Sequence, residues 1–269
     1  MRICLIPLKT EPRNPSANVR HFQQRLAELA PYAPELICLP ECAFTGYLYE
    51  LHDLDRYAEP IPGETTAMVA ALARTYRCAI CFGLLERAAE GFYSSAVLIE
   101  PSGQIAVVQR KMSEQPPFVA GDDIHVADTA AGRLAILICG DLFDEDARTR
   151  LGKRADVVIV PLARSFDGTS PDLERWLREE RQAYADAVRT LGVMALIVNA
   201  LENPAQPDAS FGGAMVISPR GDILGESPHG TDEALIFEIQ LFVCCSFSAI
   251  SAAWRSSQAR IFSSASGSH

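Results

Sequence analysis

The ten residues Ala96-Val-Leu-Ile-Glu-Pro-Ser-Gly-Gln-Ile105 are answered later in the chain by Ala214-Met-Val-Ile-Ser-Pro-Arg-Gly-Asp-Ile223. Alanine, isoleucine, proline, glycine and a second isoleucine recur at the same five places. Each copy is an apolar run, a Pro-x-Gly turn and a second apolar start, which is the pattern of a β-hairpin. A second echo, Ile37-Cys-Leu-Pro40 against Val158-Ile-Val-Pro161, precedes the hairpins at nearly the same offset. Recurrence at this spacing points to two similar halves packed together.

The segments between the echoes agree with this. Apolar strand-like runs cover residues 2–8, 36–39, 78–85, 134–138, 156–160, 192–199 and 234–239, besides the hairpins at 93–109 and 215–224. Helices separate them. Asn14-Pro15 is a cap followed by proline at the first helical position, and Val19, Phe22, Leu26 and Leu29 form one apolar stripe before Pro31 and Pro34 stop it. Residues 64–76 and 144–151 read the same way, as does a long helix capped by Ser170-Pro171 and stopped after Leu191 by Gly192. Strands alternating with amphipathic helices predict an α/β fold, and the hairpins make its sheets mixed. The expected arrangement is two sheets inside and helices outside, as pseudo-two-fold halves. No linker divides residues 1–240, which are expected to form one domain. Residues 241–269 are rich in Ser and Ala, and are expected to be a partly disordered tail.

Net charge is −10, which argues against a nucleic-acid partner or an anionic membrane surface. The apolar stretch at 241–254 falls short of the ~20 residues that span a bilayer. Of the eight cysteines, those at 4, 38, 78, 81 and 139 lie in or beside apolar runs, not at the loop spacings of a disulfide framework. The short apolar start before Lys9 does not make a secretory leader, so a cytoplasmic location is expected. Cys78-x-x-Cys81 lacks a second ligand pair and the five histidines are scattered, so no metal site is expected.

Three charged or nucleophilic residues each end an expected strand. The run at 134–138 stops in Cys139-Gly140-Asp141 before a helix-prone segment. A thiol there would face turning N–H groups, which can bind an oxyanion and favour thiolate. The alternative is a small core cysteine. Glu41 follows Pro40 at another strand end, where a half-shielded carboxylate can act as a general base or stand as a solvated loop acid. Lys111 ends the first hairpin, placed to stabilise an oxyanion and a neighbouring thiolate, or to sit in solvent. In α/β folds one sheet edge collects such residues at a shared cleft. The same placement puts Asp141, Phe143, Arg164 and Phe166 near the pocket. Arg164 would recognise a substrate carboxylate or pair with an acid.

The motifs Leu39-Pro40-Glu41 with Thr45-Gly46-Tyr47, Tyr93 to Lys111, Ile138-Cys139-Gly140-Asp141, and Phe211-Gly212-Gly213, taken in this order, resemble the nitrilase superfamily of carbon–nitrogen hydrolases. The resemblance covers roughly residues 1 to 240. It implies a four-layer α-β-β-α sandwich, commonly assembled as a homodimer or larger homo-oligomer, and a cofactor-free reaction. It also implies Cys139 as nucleophile, Glu41 as general base, Lys111 and the Gly140 N–H as oxyanion donors, and Glu114 in a supporting role. Glu114 read without the family is a solvated loop acid. Phe143 and Arg164 are the expected substrate contacts. Gly140 and Phe143 replace larger residues, with an opened pocket or looser oxyanion loop as the expected result. Tyr93-Ser94 stands where an aromatic followed by Asn is frequent. The implied substrate is a small linear amide or carbamoyl compound. The alternatives are a nitrile, or a binding role for a catalytically weak member.

Overall fold

The computed structural model describes residues 1–130, 132–166, 171–206, 208–239 and 260–262. Its first half runs β1 (Arg2–Leu5), α1 (Pro15–Leu29), β2 (Leu36–Cys38), α2 (Leu51–Tyr57), α3 (Glu64–Tyr76), β3 (Ala79–Ala88), β4 (Gly91–Ile99) and β5 (Ile105–Arg110). After the edge strand β6 (Val126–Thr129) the second half repeats the plan. It has β7 (Gly132–Ile136), α4 (Glu145–Leu151), β8 (Val157–Leu162), a helix in three pieces, β9 (Met194–Asn199), β10 (Ala214–Ile217) and β11 (Ile223–Glu226). The three pieces are α5 (Leu173–Arg175), a π turn (Trp176–Glu180) and α6 (Arg181–Leu191). Strands β12 (Ala234–Glu238) and β13 (Arg260–Phe262) return to the first sheet.

The sheet orders are β13-β12-β1-β2-β3-β4-β5 and β6-β7-β8-β9-β10-β11. In each half three parallel strands are followed by two antiparallel ones. The echoed segments are the β4–β5 and β10–β11 hairpins. Both shift register at the matching place, Leu98/Ile99 in one and Val216/Ile217 in the other. The repeated sequence therefore encodes a repeated bulge as well as a repeated turn.

Alternation along the strands builds three apolar layers. Ile3, Leu5, Leu98, Ile136, Ile159 and Val216 meet between the sheets. Cys4, Ile37 and Phe82 face outward under α1 and α3, against Phe22, Leu26 and Val69. Val158, Ile197 and Met215 do the same under α4 and α6, against Leu151 and Val188. This is the expected α-β-β-α sandwich. Asn14 caps α1 by accepting from the Ala17 N–H at 3.3 Å, and Gly192 ends α6 in the left-handed region, both as expected.

The differences are local. Helix α2 has no counterpart among the helices expected from the sequence. It is short, and Asp53 is tied to Arg13 by a two-pronged ion pair of 2.6 Å at its closest. Strand β8 continues through Pro161 to Leu162 instead of stopping at the proline. The ladder to β7 has ended at Ile159, where a residue lacking an N–H is tolerated. The long second-half helix begins at Leu173 under an Asp172 cap, and Ser170 lies outside the described residues. So does the tail from 241, apart from 260–262, which pair with β12. Among the described residues no helix is long and apolar enough to cross a membrane.

Candidate active site

Strands β2, β5, β7 and β8 finish at one edge, and their next residues converge. Glu41 lies three residues past β2, Lys111 one past β5 and Cys139 three past β7. The Glu41 N–H donates to the Leu162 carbonyl at 3.2 Å, so the two echoed Pro segments join the halves beside the site. Gly83 on β3 permits this close packing. A Cβ there would stand 2.6 Å from both the Cys42 N and the Glu41 Cα.

Glu41 is 1 % exposed. Its Oε1 accepts the Ser94 hydroxyl at 2.8 Å and the Lys111 ammonium at 3.1 Å. Lys111 also reaches Glu114 Oε1 at 2.8 Å, and that oxygen accepts the Tyr47 hydroxyl at 2.8 Å. Burial works against the Lys111 charge, but Glu41, Cys139, Tyr47 and Glu114 more than offset it and hold the ammonium well above its ordinary range. Burial also raises Tyr47, keeping its hydroxyl a donor. Glu114 is thus a member of the cluster and not a solvated loop acid.

Cys139 begins a turn (Cys139–Leu142) with φ +49°, a left-handed conformation that costs a non-glycine residue about 1–3 kcal/mol. Among the described cysteines it alone keeps some exposure; Cys4, Cys38, Cys42, Cys78 and Cys81 are buried. Glu41, Lys111 and the Ala163 N–H all act electrostatically on its thiol. Burial, then the Glu41 charge, push that thiol up to about 12, against the opposing pull of Lys111 and Ala163. The expected pull of the turning N–H groups toward thiolate is outweighed here by burial and the Glu41 charge. Only a four-residue 3-10 turn follows the sulfur, α4 starts later at Glu145, and the nearest carboxylate favours the neutral thiol.

The turn is held by Asp141, which is fully buried with its carboxylate bonded to backbone N–H groups. Its Oδ1 accepts the Met112 and Ser113 N–H groups at 3.0 and 2.8 Å, and its Oδ2 accepts the Ile138 N–H at 3.1 Å. These bonds tie the Cys139 turn to the residues directly after Lys111. Gly140 does not open the pocket either. A Cβ there would come within 2.8 Å of Ser113 Oγ, so glycine lets that loop close down.

Phe143 lies at the rim, 43 % exposed and edge-on to Tyr184 with centroids 5.1 Å apart. Arg164 interacts electrostatically with Cys139, but its guanidinium is paired with Glu180 at 2.7 Å. Phe166 is withdrawn into the core, stacked on Phe211 at 4.6 Å, and is not a pocket residue. The sequence reading assigned no roles to Ser94, Tyr47, Ala163, Glu180 and Tyr184. The Ser at an aromatic–Asn position was the one signal that could have raised Ser94. Cys78 and Cys81 are buried in different layers.

Glu41, Lys111 and Glu114 thus form a buried carboxylate–ammonium–carboxylate cluster at the strand ends that also carry Cys139. The carbon–nitrogen hydrolase family model matches residues 3–247, and the chain belongs to that family. It is 25% identical over 255 residues to an omega-amidase of Homo sapiens, covering 88% of this chain and 87% of that protein. It is 24% identical over 261 residues to a nitrilase of Pyrococcus abyssi, covering 90% and 91%. Its fold matches a crystal structure of an amidase from Nesterenkonia sp. with a TM-score of 0.71 at 20% identity, covering 88% of this chain and 89% of that one.

Proposed function

We propose that the protein hydrolyses the C–N bond of a small linear amide or carbamoyl compound through a thioester on Cys139. The observation that carries this is the setting of Glu41, a buried carboxylate that pairs with the Lys111 ammonium at 3.1 Å and acts on the Cys139 thiol. Glu41 takes the thiol proton as sulfur attacks the carbonyl carbon, so the neutral resting thiol is no obstacle. Lys111 and the Gly140 N–H receive the oxyanion, and each such donor typically contributes about 2.7–4 kcal/mol. Collapse breaks the C–N bond, and Glu41 returns its proton to the leaving ammonia or amine. Water then attacks the thioester with Glu41 as base, releasing a carboxylic acid and restoring the thiol. Glu114 and Tyr47 hold Lys111 in place. No cofactor takes part in this scheme.

The same residues suit attack on a nitrile, but the omega-amidase and amidase relatives favour the amide. The intact Glu41, Lys111 and Cys139 set speaks against a pure binding role. Ammonia release from a panel of short amides and nitriles tests the reading. Turnover of amides that disappears in Cys139→Ala is expected. Turnover of nitriles alone would replace the amide reading, and turnover that survives the substitution would remove the mechanism. The free thiols among the described residues fit a reducing, cytoplasmic setting. Exposed Leu173 and Leu177 fit a homodimer or larger homo-oligomer.

A further inference from the structure

Arg164 and Glu180 form an ion pair just beyond β8, the strand that ends at Leu162. Arg164 lies two residues past Leu162, whose carbonyl accepts the Glu41 N–H at 3.2 Å. Its backbone is pinned by Asn199, which accepts the Arg164 N–H at 2.7 Å and donates to its carbonyl at 3.0 Å. Glu180 closes the π turn, a widened turn that alters which residues of the long helix face the site. Its carboxylate accepts Arg164 Nε at 3.3 Å and Nη2 at 2.7 Å. The side chains are 34 % and 16 % exposed, so the pair is partly withdrawn from water. Arg164 interacts electrostatically with Cys139, and Glu180 with Tyr184, which in turn senses Cys139 and Glu41.

Lys111 and Arg164, two cations that act on the thiol, are thus already engaged, Lys111 by Glu41 and Glu114, and Arg164 by Glu180. A substrate carboxylate reaching for Arg164 would have to displace Glu180 and leave it half-enclosed without its partner. It would also enter the field of the Glu41 and Glu114 carboxylates. An uncharged chain end meets neither cost.

We propose that the Arg164–Glu180 pair sets the substrate class: the site takes short amides with an uncharged far end and turns away those carrying a free carboxylate. This rests on the amide-hydrolase reading above. Butyramide and succinamate differ by a methyl exchanged for a carboxylate and make a matched pair. The wild type favours butyramide in kcat/KM by at least about ten-fold. Glu180→Gln frees Arg164 and raises the succinamate-to-butyramide ratio at least about ten-fold, chiefly through the KM for succinamate. Arg164→Gln combined with Glu180→Gln shows no such rise. A wild type that prefers succinamate overturns the proposal, as does a Glu180→Gln variant that slows both substrates in proportion. The wild-type ratio needs no variant, so a misfolded Glu180→Gln leaves that arm standing. Turnover of both amides with the wrong ratio sinks the specificity claim alone, whereas a folded wild type that hydrolyses no amide sinks the hydrolase reading with it.

Discussion

Ser94 illustrates how one hydroxyl can organise a base. It is fully buried on β4 and donates to Glu41 Oε1, the oxygen that Lys111 also occupies. Ser94→Ala leaves that oxygen with one donor fewer on a carboxylate that is almost fully buried. A hydrogen bond to a charged group is worth about 1.5–3 kcal/mol, so kcat should fall about ten-fold or more. Ser94→Thr should recover most of the loss. Steady-state kinetics on the two variants checks this, and an unchanged kcat in Ser94→Ala would mean that Glu41 is held by other contacts. The thiol makes a second prediction at this scale. With Cys139 pushed up to about 12, the wild type minus Cys139→Ala difference at 240 nm should show no thiolate step between pH 6 and 9. A step with its midpoint below about 8.5, the ordinary thiol value, would mean a preformed thiolate. Chain position alone suggested that Cys139, Glu41 and Lys111 come together, because each follows a strand, and Glu41 and Lys111 do meet at 3.1 Å. The upward push on the thiol was not legible, since it depends on burial first and then on the charge of Glu41, far away in the chain.

At the level of elements, the site depends on how closely β3 approaches the segment after β2. Gly83→Ala would drive a Cβ into the backbone of Glu41 and Cys42. Overpacking of this kind typically costs about 1–3 kcal/mol, and here it also displaces the base. Denaturant melts should show that loss, and kcat/KM should fall further than the melt alone accounts for. A variant of full activity would show that the segment yields easily. The Cys139 turn adds a pH dependence. Burial pushes the Asp141 carboxyl up to about 6, while its three N–H donors oppose the rise. The folded chain therefore binds this proton more tightly than the unfolded chain. The stability it contributes is full below the unfolded value of about 4 and is lost as pH climbs through 6. Denaturation of wild type and Asp141→Asn across that window should show the wild-type advantage shrinking with rising pH. An advantage that grows would reverse the assignment. The echoed hairpins were readable from sequence because Pro-x-Gly turns are local. Helix α2 was not, because it buries little beyond Leu54 and owes its place to the distant Arg13–Asp53 pair.

Across the whole molecule, the duplicated β1–β5 and β7–β11 plan brings matching strand ends to one edge, and the site lies where the two copies touch. The sandwich could be anticipated from the echoes, since each half needs the other to bury its inner sheet face. The Arg164–Glu180 pairing could not, because it depends on a π turn that has no sequence signature. If Leu173 and Leu177 are covered by a second copy, light scattering on the eluted protein should give a multiple of 29.3 kDa, and a 29.3 kDa species at micromolar concentration would contradict that. The central claim concerns one covalent bond, and acid-quenched mass spectrometry during turnover of a slow amide reads it directly. The account predicts the mass of the substrate's acyl group on the peptide containing Cys139, and none in Cys139→Ala. Steady turnover with that peptide unmodified, or with the acyl group on another residue, would contradict it.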